Sequence, residues 1–151
     1  MSGRSAPARI FVLLRVVVGG IFVYAGAVKL SNPLEFADAI ATFQLLPPQL
    51  VNMVALSLPP FEMVAGLLLV CGWKLRAAAL GILVLTFVFA VALAQALVRG
   101  LPVDCGCFGS GETSGWKVWS ALGRDILLMA AAAWIYRRAT RRIANLSGQL
   151  G

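Results

Sequence analysis

Residues 77–98 read AAALGILVLTFVFAVALAQALV, and this run decides the solvent for which the chain is built. Its only polar side chains are Thr86 and Gln95. A bilayer core about 30 Å thick is crossed by about 20 apolar residues in helical form. The run therefore predicts a transmembrane helix. Three more stretches meet the same measure. Ile10 to Val28 is interrupted by Arg15, Leu50 to Gly72 contains Glu62, and Val118 to Tyr136 contains Arg124 and Asp125. The expected fold is an all-α membrane protein, a four-transmembrane-helix bundle forming a single domain over residues 1–151. Its spans are expected near 10–28, 50–72, 77–98 and 118–136, with a basic C-terminal tail at 137–151.

Composition agrees with that solvent. Hydrophobic residues make up 60% of the 151 and charged residues 13%, where a soluble domain carries roughly 25% charged residues. Mean hydropathy is +0.89. The net charge of +7 does not indicate nucleic acid, because the basic residues gather at the ends of apolar segments rather than along one polar face. The chain has no histidine. That removes His-ligated haem, the common zinc sites and the usual general base.

A signal peptide is the rival reading of the first segment. Arg4 and Arg9 could form its basic region and Ala25-Gly26-Ala27 its cleavage site. The apolar stretch is longer than a typical signal core and contains an arginine, so a retained helix is expected. Four spans place both termini on one side. That side carries Arg4, Arg9, Lys74, Arg76, Arg137, Arg138, Arg141 and Arg142. The other carries Lys29, Arg99 and Lys117 against Glu35, Asp38, Asp104 and Glu112. Positive residues stay inside, so the termini are expected in the cytoplasm of a bacterial inner (plasma) membrane. The loop between the third and fourth spans then faces the periplasm.

The connections carry further signals. Asn32 can cap a short helix, with Pro33 at its first position and Glu35 three residues after the cap. Phe36, Ile40 and Phe43 then share one face, as in a short amphipathic helix lying at the interface between helices 1 and 2. Leu46-Pro47-Pro48 ends it. Small residues recur four apart at Ala77 and Gly81, Ala90 and Ala94, and Ala92 and Ala96, a weak sign of close helix packing. The tail Arg137-Arg138-Ala139-Thr140-Arg141-Arg142 marks topology and also suits contact with the lipid bilayer. Trp116 and Trp119 read as an aromatic belt.

Two groups could carry chemistry. The first is Cys105 and Cys107, within Val103-Asp104-Cys105-Gly106-Cys107-Phe108-Gly109. Thiols at this spacing could form a disulfide, accept one from a partner, or bind a soft metal such as Cu(I). In an extended chain residues two apart stand about 7 Å apart, at the limit for a disulfide. Gly106 lets the backbone turn and shortens that distance. So small a ring is strained, and strain makes a disulfide more oxidising. A simple staple, or two unrelated thiols, is the plainer alternative. Asp104 opposes thiolate formation, and Arg99 or Lys117 could offset it. The remaining cysteine, Cys71, reads as a packing residue.

The second group is the set of charges inside the membrane: Arg15, Glu62, Arg124 and Asp125. A charge at the bilayer centre costs about 2.5–3.5 kcal/mol on insertion scales. Two bases and two acids sum to zero, so Arg15 or Arg124 is expected to pair with Glu62 or Asp125. Such a set could serve a proton, a quinone headgroup or a small substrate, or could be an ion-pair network that fixes packing. A quinone is the one cofactor it suggests. Arg15 could instead snorkel to the surface. Lys29, at the outer end of the first span, belongs with this intramembrane polar set as a candidate binding residue and reads as an interface anchor rather than a catalytic amine. Tyr24 and Gln95 could line a site below the cysteine loop.

The run Gly26-Ala27-Val28-Lys29-Leu30, followed by Asn32-Pro33 and Phe36-Ala37, looks like the DoxX-like membrane proteins. Leu45-Leu46-Pro47, Pro59 with Glu62 and Gly66, and Arg99-Gly100-Leu101 leading into Asp104-Cys105-Gly106-Cys107-Phe108-Gly109 narrow the likeness. Together they resemble the methylamine-utilisation proteins of the MauE type, over roughly Ile10 to Tyr136. The resemblance implies a four-helix inner-membrane accessory that matures the disulfide-rich small subunit of methylamine dehydrogenase, or a similar periplasmic client. It also implies a periplasmic thioredoxin-like partner, with Cys105 and Cys107 as the redox pair. One outer thiol pair fits a shuttle better than a complete enzyme. The rival classes are a transporter or soft-metal handler using Cys105 and Cys107, and a non-catalytic subunit of a DoxX-type quinone-linked complex.

Overall fold

The computed structural model describes residues 6–100 and 115–147. These form five helices: α1 (Ala6–Ser31), α2 (Pro33–Thr42), α3 (Pro48–Cys71), α4 (Leu75–Val98) and α5 (Gly115–Ser147). Three of them, α1, α3 and α4, are long and apolar enough to cross a membrane. In hydrocarbon every backbone N–H and C=O must find its partner within the segment, and a helix achieves that. Many large apolar side chains point outward. Leu127 is 73% exposed and Leu56 is 68% exposed, as suits lipid-facing positions.

The helices outrun the apolar windows of the sequence. Helix α1 continues past Val28 to Ser31, and α5 continues through the arginines to Ser147. The expected tail at 137–151 is thus helical over most of its length. An apolar window marks the hydrocarbon core, whereas backbone hydrogen bonding continues into the headgroup layer.

Packing is organised in two pairs. Helix α1 lies chiefly along α3, and α4 along α5. The α1–α3 crossing is close because it is made of glycines. A Cβ on Gly19 would lie 2.7 Å from the Gly66 oxygen, and one on Gly26 would lie 2.8 Å from the Pro59 oxygen. Without a hydrophobic drive between helices in lipid, such backbone approach is a main source of association. Of the expected small-residue pairs, Gly81 faces the Phe61 ring of α3, where a Cβ would make ordinary van der Waals contact at 3.6 Å. Between the pairs, Phe11, Val18, Phe22, Leu69, Ile82 and Ile135 form the shared core. Arg138 lies over the rings of Phe11 and Trp134, tying the start of α1 to the later half of α5.

Helix ends explain several polar residues. Gly72 has φ +79° and closes α3, with its N–H and that of Trp73 both donating to the Leu68 carbonyl. That is the left-handed cap for which glycine is suited. Arg15 donates to the Val70 carbonyl at 3.2 Å, where a cation also meets the negative end of the helix dipole. Pro33 stands in the first turn of α2 as expected, but the Asn32 side chain makes no cap hydrogen bond. Cys71, expected to pack, is exposed, and so is Trp119.

Candidate functional site

Helix α2 does more than rest at an interface. Phe36 and Ile40 on it, with Phe43 just past its last residue, border a partly open cavity of about 80 Å³ that is also lined by α1, α3, α4 and α5. At least 10–15 Å³ is needed for each water, so the space takes about five. Phe36 is buried, and α2 leans mainly on α3. The Pro47-Pro48 step then turns the chain into α3.

Four charged side chains line this cavity: Lys29 from α1, Glu62 from α3, and Arg124 and Asp125 from α5. Lys29 Nζ donates to both Glu62 oxygens, at 2.7 and 2.8 Å. The two side chains are each 2% exposed. The Phe36 and Phe89 rings lie 5.0 and 4.8 Å from the same ammonium. Ring faces attract a cation, and more strongly where water is excluded. Arg124 donates to Asp125 Oδ1 at 3.3 Å. Asp125 is buried and Arg124 is partly exposed.

This arrangement revises the expected pairings. Arg124 does pair with Asp125, but as a neighbour on one helix rather than across the bundle. Glu62 finds Lys29, which had read as an interface anchor. Lys29 follows the last apolar residue of its span, but α1 continues beyond it and α2 folds back over it. Arg15 stands apart, at the end of α3. The set of two bases and two acids is preserved, with Lys29 in the place of Arg15. A signal for this was present: Lys29 is the only basic residue in the outer half of α1, and Glu62 the only charge in α3.

Tyr24 borders the cavity as expected, beside Ile21 and Ala25. Gln95 does not line it and is exposed. Thr86 also lines the wall, its hydroxyl donating to the Ile82 carbonyl at 2.7 Å. Cys105 and Cys107 lie outside the described residues, as do Asp104 and Gly106. The described helices leave that segment at Val98 and resume at Gly115, at the α2 end of the bundle. Among the described residues no cluster of three or more metal-ligating side chains occurs.

The chemical capacity of the cavity follows from its donors. Two fixed cations can offer N–H groups to a polar ligand atom, and two carboxylates can accept protons. Their charges cancel, so the site as a whole is neutral.

Comparison with known proteins adds an independent line. A family model described as methylamine utilisation protein MauE matches residues 7–138. The chain is 35% identical over 120 residues to the methylamine utilization protein MauE of Paracoccus denitrificans, covering 79% of this chain and 64% of that protein. It is 34% identical over 111 residues to the protein of the same name from Methylorubrum extorquens, covering 71% of this chain and 59% of that one. The chain thus spans less than two thirds of the length of these relatives. No solved structure matches.

Proposed function

The chain belongs to the MauE family of methylamine-utilisation proteins, and from that premise we propose that it is a membrane accessory exchanging disulfides with a periplasmic client through Cys105 and Cys107. The client is a methylamine dehydrogenase small subunit or a protein of similar disulfide content. A periplasmic thioredoxin-like protein is the second partner.

The observation that carries this reading is the sequence Asp104-Cys105-Gly106-Cys107-Phe108-Gly109 between α4 and α5. In the proposed topology α5 is the fourth span, the bundle is one domain in the inner membrane, and both termini are cytoplasmic. Helix α5 has 33 residues, about 50 Å at 1.5 Å per residue, which is ample. Its two inner charges pair with each other, which lowers the cost of carrying them through lipid. The cysteine segment then faces the compartment in which disulfides persist.

The exchange is balanced. A client thiolate attacks one sulfur of the Cys105–Cys107 disulfide, forming a mixed disulfide and releasing the other as thiolate. A second client thiol resolves it, leaving an oxidised client and two reduced cysteines here. A disulfide on the thioredoxin-like partner restores the pair.

Single variants test this. Cys107→Ser is expected to trap a mixed disulfide through Cys105, or Cys105→Ser through Cys107, visible on a non-reducing gel of membranes. Thiol trapping of the wild type is expected to reveal both oxidised and reduced forms. Fully reduced wild-type thiols under every growth condition, with neither variant trapping a partner or losing activity, would refute exchange.

A further inference from the structure

We infer that the cavity beneath α2 binds a neutral, ring-bearing lipid of the quinone class, taken up sideways through the seam between α1 and α5. This goes beyond the exchange reading and does not depend on it.

Access comes first. The two tight pairs, α1 with α3 and α4 with α5, leave α1 and α5 in touch over a short stretch. Ile21 and Tyr24 border the cavity and are 38% and 57% exposed. The Arg124 side chain, also at the border, is 34% exposed. On a membrane-embedded bundle an opening in the flank admits molecules dissolved in the bilayer.

Charge selects the headgroup. Lys29 and Glu62, with Arg124 and Asp125, sum to zero. An anionic headgroup would compete with Glu62 for an ammonium that already holds both carboxylate oxygens. A cationic one would meet Lys29 and Arg124. A neutral headgroup with carbonyl oxygens accepts hydrogen bonds from the cations and leaves both pairs in place. Such polar anchors in a largely apolar wall are the usual form of a small-molecule site.

Shape points the same way. Phe22 and Tyr24 on α1, Phe36 on α2, Phe43 just past it and Phe89 on α4 supply aromatic wall. Aromatic rings favour offset stacking or edge contact with another ring. Room for about five waters suits a single substituted ring. Its apolar tail would leave through the α1–α5 seam into lipid.

The test uses the full chain in phosphatidylcholine nanodiscs, titrated calorimetrically with a decyl-substituted benzoquinone. One saturable site is expected. Ala25→Leu on α1 and Ala39→Leu on α2 each fill the cavity from a different wall and are expected to weaken binding at least 10-fold. Val84→Leu, on the exposed face of α4, is expected to bind within twofold of wild type. Thermal unfolding identifies which filled variants are folded, and two variants on separate helices guard against the loss of one. Uptake no greater than in empty nanodiscs would overturn the proposal. So would wild-type affinity in a folded filled variant, or a tightly held phospholipid that the quinone does not displace. The readout is binding, so its outcome is separate from that of the cysteine variants.

Discussion

At the residue scale the bundle turns on Lys29 and Glu62. Each is buried at 2% side-chain exposure and completes the other. Removing one partner of such a pair costs about 3–5 kcal/mol, because the survivor is left as an uncompensated charge. Glu62→Gln is therefore expected to lower thermal stability in detergent steeply. Lys29→Met combined with Glu62→Met is expected to recover most of the loss, since apolar replacements of a whole pair are often neutral. Additive losses in the double variant would contradict the pairing. Glu62 and Asp125 were legible as buried charges from hydropathy alone. The identity of Glu62's partner was not, because position counting treats a helix as ending where its apolar run ends. Arg15 shows the complementary case. Its depth suggested an acid partner, whereas a helix end offers carbonyls and a dipole, neither of which appears in a count of charges. Gly72→Ala is expected to cost about 1–2 kcal/mol for the left-handed backbone; the new Cβ would also meet the Arg15 guanidinium at 2.6 Å, the far end of a flexible side chain that can move aside at little cost. Measured by thermal unfolding, that cost should persist in an Arg15→Ala background, because it belongs to the left-handed backbone rather than to the Arg15 contact.

At the scale of elements the decisive contact is the glycine crossing of α1 and α3. Gly19 and Gly20 are sequence neighbours with opposite surroundings. A Cβ on Gly19 runs into the Gly66 oxygen and the Val70 side chain at 2.7 Å, while one on Gly20 meets nothing within 4 Å. Gly19→Ala is expected to force the helices apart at a cost of about 1–3 kcal/mol, typical of overpacking. Gly20→Ala is expected to be neutral or slightly stabilising, because alanine outranks glycine in helices. Equal unfolding temperatures for the two variants would argue against this crossing. The spans themselves were legible because each apolar run is long enough to be read without knowing its neighbours. The crossing was not, since a spacing of four identifies small residues but not the helix they face. Ala77 with Gly81 met the pattern, and Gly19 with Gly66 makes the tightest approach. Helix α2 was legible as an amphipathic face from Phe36, Ile40 and Phe43. That this face borders a cavity depends on where α4 and α5 stand, and no local pattern encodes that.

For the whole molecule the burial of Lys29 bears on which way the bundle sits. Arg9 begins α1, Lys74 and Arg76 lie at the α3–α4 turn, and Arg137, Arg138 and Arg141 lie in the last part of α5. These positions mark one end of the bundle, and the sequence places no acid there. At the other end Lys29 is withdrawn into the cavity wall, leaving Arg99 against Glu35 and Asp38 among the described residues. The basic bias that sets orientation is counted over loop residues near the span ends, and Lys29, inside α1 (Ala6–Ser31), lies outside that count, so the outer loops hold one basic residue fewer than the sequence tally assigns them. The end carrying the arginines is expected in the cytoplasm. A green fluorescent protein fused after Gly151 should fluoresce, and alkaline phosphatase fused there should be inactive. Phosphatase inserted between Val98 and Gly115 should be active. The pair of fusions separates two kinds of error. Opposite results at both sites would mean that the bundle is inverted. The same side reported at both sites would mean that α5, with Arg124 and Asp125, does not cross, leaving α1, α3 and α4 as the spans.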